Sequence, residues 1–575
     1  MQTSSLVILL TGIIAMLVTL VGFLCWRIAR NNDELRHKNN VIVREVERNQ
    51  RLIDRAVSLG LNRAALLLTF AATLVCGASV FISCSSDSDD NPVINPDEPQ
   101  QQPLADYTII FYGHGGSNLD AFLMDNIAQF FKADADHRRN VSICAQYKFS
   151  TLENLQNSYR DLKTEIDPND PAQVALVERI KDFYPYGGKT SRFTVDPTVA
   201  ETDMMATITA HFIGPDNADI SRTDSLTRFI DWAARVRPAR RYILVLSDHG
   251  DGYLPTEEIP VAAAAARQTR SVIKDDGHNR AHFTAKSLTE AIRQASVHVS
   301  AVYCDACLMN AAEYQFELAP VTDYLVLSTF LVPSAGGNYT ELVDALSDNP
   351  DDPEQALTRF ARFCVDAWDK DAEKEDKGED VPHYHDMSVY RSAEADAFGA
   401  ELKKFVDRLA DVYQNGTDYA RTRIDSITAN AYRVDDEQPT YDLMNYIIGL
   451  TAALPDDFGP VIEGLADQAY NHYFALQQSS KWLEENGHTV SLSVMLGCQG
   501  HFTTVENGLH FRYDADGLVY LFADGQPTSD GLPWGSTLDA TYGQLRFDRL
   551  TGWSRWLKLN RQEPNTKCYT EYYEY

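Results

Sequence analysis

The apolar positions along the chain change period in regular alternation. Residues 107–112 (YTIIFY), 141–147, 242–248 (YILVLSD), 298–304 (HVSAVYC) and 324–330 are short β-branched or aromatic runs that read as buried strands. Between them, 118–131 (NLDAFLMDNIAQFF), 225–236, 286–295 and 308–318 carry apolar residues three and four apart, the spacing of a helix with one buried face. Asn118 is placed to cap the first of these helices. Strands alternating with helices predict an α/β fold, a parallel sheet with helices on both faces. Residues 148–200 are polar and follow neither period. From about 390 the pattern turns helical, at 393–414 and 440–482, and after 485 it turns to strands, at 489–496 and 509–522. That predicts a C-terminal α+β region. The mixed charge run 366–381 (DAWDKDAEKEDKGEDV) reads as a solvated helix end or loop, and no internal repeat is visible.

The first hundred residues are of another kind. Leu6 to Trp26 carries no charge and is long enough to span a bilayer. The basic residues of 27–63 place that loop in the cytoplasm by the positive-inside rule. A second apolar run, 64–83, ends in Phe81-Ile82-Ser83-Cys84, with Asp87, Asp89 and Asp90 close behind. Small Ser83 before Cys84 and the acids after it resemble a bacterial lipoprotein signal, with Cys84 lipidated and the body exported to the outer membrane or cell surface. A plain transmembrane hairpin is the alternative. Residues 1–60 then sit upstream of a signal, which fits translation starting near Val57 or Leu61. Pro- and Gln-rich 91–103 reads as a tether. The expected division is 1–60 as a hydrophobic and basic segment, 61–84 as signal peptide or transmembrane helix, 85–104 as linker, 105–385 as the α/β core, and 386–575 as a C-terminal region packed on it.

A formal charge of −31 over 575 residues argues against nucleic acid and anionic lipid headgroups as partners, and would attract basic peptides. The nine cysteines are spread thinly, which rules out a dense disulfide framework and leaves one or two bridges open.

Chemistry concentrates where two strands end. His249-Gly250 follows one and Asp305-Ala306-Cys307 follows another, and in a parallel sheet sites form at the carboxyl edge. A histidine and a cysteine brought there pair an acid or base with a nucleophile. If the helix begins at Leu308, its dipole lowers the Cys307 pKa. Gly250 permits close backbone approach. His114-Gly115 is a second histidine of similar placement. Cys304-Asp305-Ala306-Cys307 also reads as Cys-x-x-Cys, a redox pair or half a zinc site, although no second cysteine pair completes a zinc set.

These segments together resemble the clostripain family of cysteine peptidases, which have a caspase-like fold. The resemblance is carried by YTIIFYGHGGSNL (107–119), LVLSDHGDGY (244–253), Asp275-Asp276-Gly277, VYCDACLMN (302–310), Thr440-Tyr441-Asp442-Leu443 and TGWSRWL (551–557). It implies Cys307 as nucleophile, His249 as proton donor, the backbone N–H groups of Gly250 and Cys307 as an oxyanion hole, and Asp305 as an acid that receives Arg or Lys before the cut. Its substrates are then proteins or peptides. The family is often cut between its His and Cys, so Arg267, Arg270 and Lys274 are candidate self-cleavage sites. No metal is needed, and no acidic loop reads as a calcium site, though some relatives use calcium. The chain departs from the family pattern at Asp248 (usually Asn), at Asp251-Gly252-Tyr253 (usually Gly-Gly-Trp) and at Pro333-Ser334-Ala335-Gly336-Gly337, where a second pocket acid is replaced by Ala335. The rival reading is an inactive surface binding protein on the same scaffold. Asp305 has its own alternative, a carboxylate bonded to backbone amides.

Overall fold

The computed structural model describes residues 104–560, apart from 251, 254–271, 279–280, 377–380, 433, 435–439, 487, 489, 497–501 and parts of 504–541. Residues 102–575 form one compact unit. Cys84 and the whole expected anchor lie outside the described residues, as do Arg267, Arg270, Cys498 and Cys568. Among the described residues no helix is long and apolar enough to cross a membrane.

A nine-stranded sheet runs through the unit in the order β12 (Phe474–Ser479), β10 (Asp386–Arg391), β9 (Thr322–Leu327), β8 (Val299–Asp305), β5 (Ala239–Ser247), β1 (Ala105–His114), β2 (Val141–Lys148), β3 (Thr190–Val195) and β4 (Phe212–Ile213), while β6 (Val272–Asp275), β7 (Ala281–Phe283) and β11 (Thr440–Asp442) lie outside it. Its centre is parallel: β2, β1, β5, β8 and β9. Antiparallel strands close both sides: β3 and β4 beyond β2, β10 and β12 beyond β9. Side chains alternate between two apolar layers. Ile109, Phe111, Ile243, Val245, Ala301 and Tyr303 enter one; Ile110, Tyr112, Leu244, Leu246, Val302 and Cys304 enter the other. This two-sided burial is why the central strands are continuous apolar runs.

The first layer is roofed by α1 (Asp120–Lys132), α2 (Leu152–Glu165) at its margin, and two later helices, Tyr339–Asp348 and Pro353–Glu375. The second is roofed by Thr223–Val236, Ala285–Gln294, Ala312–Leu318, Ala395–Asn415 and the final pair Arg546–Thr551 and Trp553–Leu559. The expected strands and helices of the core are present with ends shifted by a few residues. Four differences bear on function. The first helix starts at Asp120 with Leu119 as a cap that has no side-chain bond, so Asn118 is not its cap. The helix after Cys307 starts at Ala312, not Leu308. Residues 148–200, unreadable in sequence, fold as α2, a second helix (Pro171–Arg179) and strand β3, which lies between β2 and β4. The C-terminal region does not simply pack on the core: β10 and β12 belong to the central sheet, because the outer edge of β9 needs a partner.

The last helices are held by Trp553, fully buried, whose indole N–H donates to the Met495 carbonyl at 2.6 Å. Trp553→Ala is expected to cost about 3–5 kcal/mol in urea unfolding, since it opens a cavity and strands that carbonyl. A loss under about 1 kcal/mol would mean the final helices are peripheral to the cooperative unit.

Candidate active site

Strands β5 and β8 pair in parallel with Ser247 opposite Asp305, so two residues further on His249 and Cys307 emerge at the same height. The two loops touch through backbone. A β-carbon at position 250 would lie 2.3 Å from the Cys307 carbonyl oxygen and 2.9 Å from its amide nitrogen, so only glycine fits there. The structure thus places Gly250 against the Cys307 backbone, with His249 next to it in the chain.

Cys307 is half-buried. Its Sγ lies 3.3 Å from the Val332 N–H, which donates to it, and 3.9 Å from the Val332 carbonyl. The expected help from a helix dipole is absent, because four residues separate Cys307 from Ala312 and the dipole acts only within the first turn. Those residues follow strand-like bonding instead. Leu308 takes a left-handed φ of 63°, the Leu308 N–H donates to the Phe330 carbonyl, and the Asn310 N–H donates to the Ser328 carbonyl. The partner segment 328–330 is in turn fixed by buried Asp386, which accepts the Thr329 and Phe330 N–H groups and whose pKa burial raises to about 7. Cys304, by contrast, is buried in an apolar layer and its thiol is pushed up to about 12. That suits a core residue and opposes the easily ionised thiol of a redox pair.

His249 is half-buried, and its Nε2 lies 2.7 Å from Asn118 Oδ1. Asn118 is the residue that sequence reading missed: helix capping explained it well enough, and nothing in the periodicity pointed across to residue 249. It is carried by the turn after β1, where Gly116 (φ 54°) passes so close that a β-carbon would fall 2.8 Å from the His249 ring. The His249 N–H donates to Asp248 Oδ1 at 2.7 Å. Asp248 Oδ2 accepts the Lys274 N–H at 2.7 Å and faces His114 Nδ1 at 3.1 Å.

His114 is fully buried, with Nε2 3.0 Å from Asp276 Oδ1. Burial alone would lower its pKa, but the Asp248 and Asp276 carboxylates outweigh it and raise it to about 10. Burial opposes ionisation of Asp276 too, yet the bonds from His114, Asn154 and Thr151 hold its pKa near 2. His114 is therefore a buried imidazolium between two carboxylates, committed at both nitrogens, and not a second candidate for proton transfer. Beside it, Lys148 and Asp275 form another buried ion pair. His114, Asp275 and Asp276, and likewise Asp219, Asp275 and His278, lie close enough to share an ion, but the Lys148 ammonium already sits on Asp275.

Asp305 is 5% exposed. Its carboxylate accepts from the Tyr303 hydroxyl at 2.9 Å, the Tyr339 hydroxyl, and the Gly337 N–H at 3.1 Å. Burial raises its pKa against the pull of these donors. Its bond from the Gly337 N–H ties the acid to the 333–337 loop. Lys274 lies within strand β6 (Val272–Asp275), its N–H bonded to Asp248, so a cut there requires that strand to open. A cleft of about 550 Å³ opens from His249 and Asn118 toward α2.

The profile of the Clostripain family matches residues 197–489, which include both His249 and Cys307. No curated protein matches the chain. Among solved structures, the secreted C11 cysteine protease iotapain of Bacteroides thetaiotaomicron is 16% identical with a TM-score of 0.45, covering 66% of this chain and 87% of its own. A secreted C11 cysteine protease of the same organism, in complex with an irreversible peptide inhibitor, is 14% identical with a TM-score of 0.46, covering 78% and 99%. An inactive zymogen C11 protease of Parabacteroides distasonis is 14% identical with a TM-score of 0.43, covering 78% and 98%.

The His114 ion pairs set a pH dependence. A histidine whose pKa is raised on folding stabilises fully below its unfolded value near 6.5 and loses that contribution as pH rises toward 10. The stability gap between the native protein and His114→Gln, measured by urea unfolding, is expected to be widest at pH 6.5 or below and to shrink toward pH 10. A gap that widens with pH would contradict a buried imidazolium.

Proposed function

The chain belongs to the clostripain family and is a cysteine peptidase, and on that premise we propose that it is an endopeptidase acting through a Cys307–His249 dyad. The observation that carries this is the packing of Gly250 against the Cys307 backbone, which sets imidazole loop and thiol loop side by side. The Cys307 thiolate attacks the peptide carbonyl carbon, forming the S–C bond. The carbonyl electron pair moves to oxygen, held by the N–H groups of Gly250 and Cys307. The His249 imidazolium gives a proton to the leaving nitrogen as the C–N bond breaks. Neutral His249 then takes a proton from water, whose oxygen attacks the thioester, and the thiolate leaves. Each proton and bond is handled by side chains and water, so the reading calls for no metal.

Asn118 acts as a positioning residue. Its Oδ1 accepts from His249 Nε2 and so fixes the orientation of the imidazole ring. Asp248, where the family usually has Asn, supports rather than removes the histidine, since it accepts the His249 N–H. That counts against the inactive binding protein. Preference for Arg or Lys before the cut rests on Asp305, whose bonds to Tyr303 and Tyr339 position its charge beside the 333–337 loop without the second acid that Ala335 replaces. Self-cleavage after Arg267, Arg270 or Lys274 fits this preference alike, and a cut after Lys274 also requires strand β6 to open. Export as a lipoprotein through Cys84 rests on the sequence of 64–90.

Cleavage of a peptide library varied at the residue before the cut is expected to be abolished in Cys307→Ala and to favour Arg and Lys in the native protein. Cleavage that survives in Cys307→Ala would remove the dyad, and Cys307-dependent cleavage after other residues would remove only the basic pocket. Asn118→Ala is expected to lower kcat by roughly 10- to 100-fold with KM little changed, as loss of orientation does. Equal kcat would leave Asn118 a structural residue.

A further inference from the structure

The cleft beside His249 is lined by His249 itself and by α2, but not by Cys307. Sheet order explains the direction. Cys307 follows β8, His249 follows β5, Asn118 follows β1 and α2 follows β2, so the cleft runs from the histidine away from the thiol. In the proposed reaction the acyl half of the substrate stays bonded to Cys307, while the amine half takes its proton from His249 and departs. The cleft therefore lies on the path of the residues after the cut.

One stripe of α2 forms its wall. Asn154, Ser158, Asp161 and Glu165 recur at helical spacing and all line the cleft. Two features of the stripe go against helix stability taken alone. Asp161 and Glu165 are like charges at i and i+4, and Glu165 ends the helix, where the dipole disfavours an acid. Among the described residues Asp161 has only a long ionic contact of 3.9 Å, to its exposed neighbour Arg160, and Glu165 makes no ion pair. A third observation is independent of charge. Ser158 is only 8% exposed and lines the cleft, yet its hydroxyl has no hydrogen-bond partner among the described residues. Against the two acids stands one lining lysine, Lys274.

The wall is also tied to the dyad. The first turn of α2 is held by Asp276, which accepts from the Thr151 N–H at 2.9 Å and the Asn154 side-chain amide at 2.8 Å. Asp276 pairs with His114, His114 with Asp248, and Asp248 with the His249 N–H. The buried ions, which no step of the reaction uses, thus fix the distance between histidine and cleft wall.

We propose that this cleft receives the leaving-group half of the peptide substrate, and that Asp161 and Glu165 select a lysine or arginine side chain there. The inference rests on the peptidase reading above. Its test uses peptides with one common acyl half and Lys, Ser or Glu at the first two positions after the cut. Each rate is divided by the same enzyme's rate on the coumarylamide of that acyl half, which has no amino acid on the leaving side. The native protein is expected to favour the Lys peptides over the Glu peptides roughly 5- to 10-fold in kcat/KM, the scale of two exposed ion pairs. The Asp161→Asn, Glu165→Gln double variant is expected to bring that ratio to within about twofold. A native ratio near one, or a ratio unchanged in the double variant, overturns this inference and leaves the peptidase reading standing. Absence of Cys307-dependent turnover of coumarylamide and peptides alike overturns both.

Discussion

The parallel pairing of β5 with β8, in the register that sets Ser247 opposite Asp305, is the constraint on which the site depends. A slip of one residue would turn Asp305 and Ser247 to the wrong layer and carry His249 out of reach of Cys307. In this register both strands are buried on both sides: Ile243 and Val245 face one layer, Leu244 and Leu246 the other, with Tyr303 and Val302 likewise divided. Gly250 then converts the register into contact, since any side chain there would collide with the Cys307 backbone.

Around that contact the protein commits several charges to its interior. Desolvating a carboxylate or an imidazolium costs several kcal/mol, and the cost is offset only when each group is paired and hydrogen-bonded. Asp248, His114, Asp276, Lys148 and Asp275 meet that condition as alternating charges. Their arrangement links the turns after β1, β2 and β5, so that the loop bearing His249 cannot move without breaking a buried ion pair. On the other side, Asp305 and Asp386 fix the segments that face Cys307 through hydroxyl and amide donors instead of cations, and burial raises both pKa values. The histidine side is thus held by ions and the thiol side by neutral donors.

What could be read in advance followed from local signals. Apolar runs of four to eight residues gave away the central strands, and small or polar residues at their ends located His249 and Cys307. What could not be read involved residues whose local role already had an adequate explanation. Asn118 fitted a helix cap, so its bond to His249 across 131 positions left no trace. Leu308 continues an apolar helical spacing, yet backbone pairing with Phe330 draws it into a left-handed turn and delays the helix to Ala312. β12 lay within a helical pattern and became an edge strand because the antiparallel β10 offered unpaired backbone groups.

The sequence by itself determined the layered α/β class, the strand ends that carry imidazole and thiol, and the glycine between them, because periodicity and residue size act over short spans. Tertiary structure alone decided that His114 is a structural cation rather than a second base, that Asp305 is bound on three sides, that Cys307 lacks a helix dipole, and that α2 forms the wall of a cleft. Each of these depends on which distant groups share a low-dielectric interior. Burial and pairing there set charge and orientation, and neither is encoded in the spacing of a residue's own neighbours.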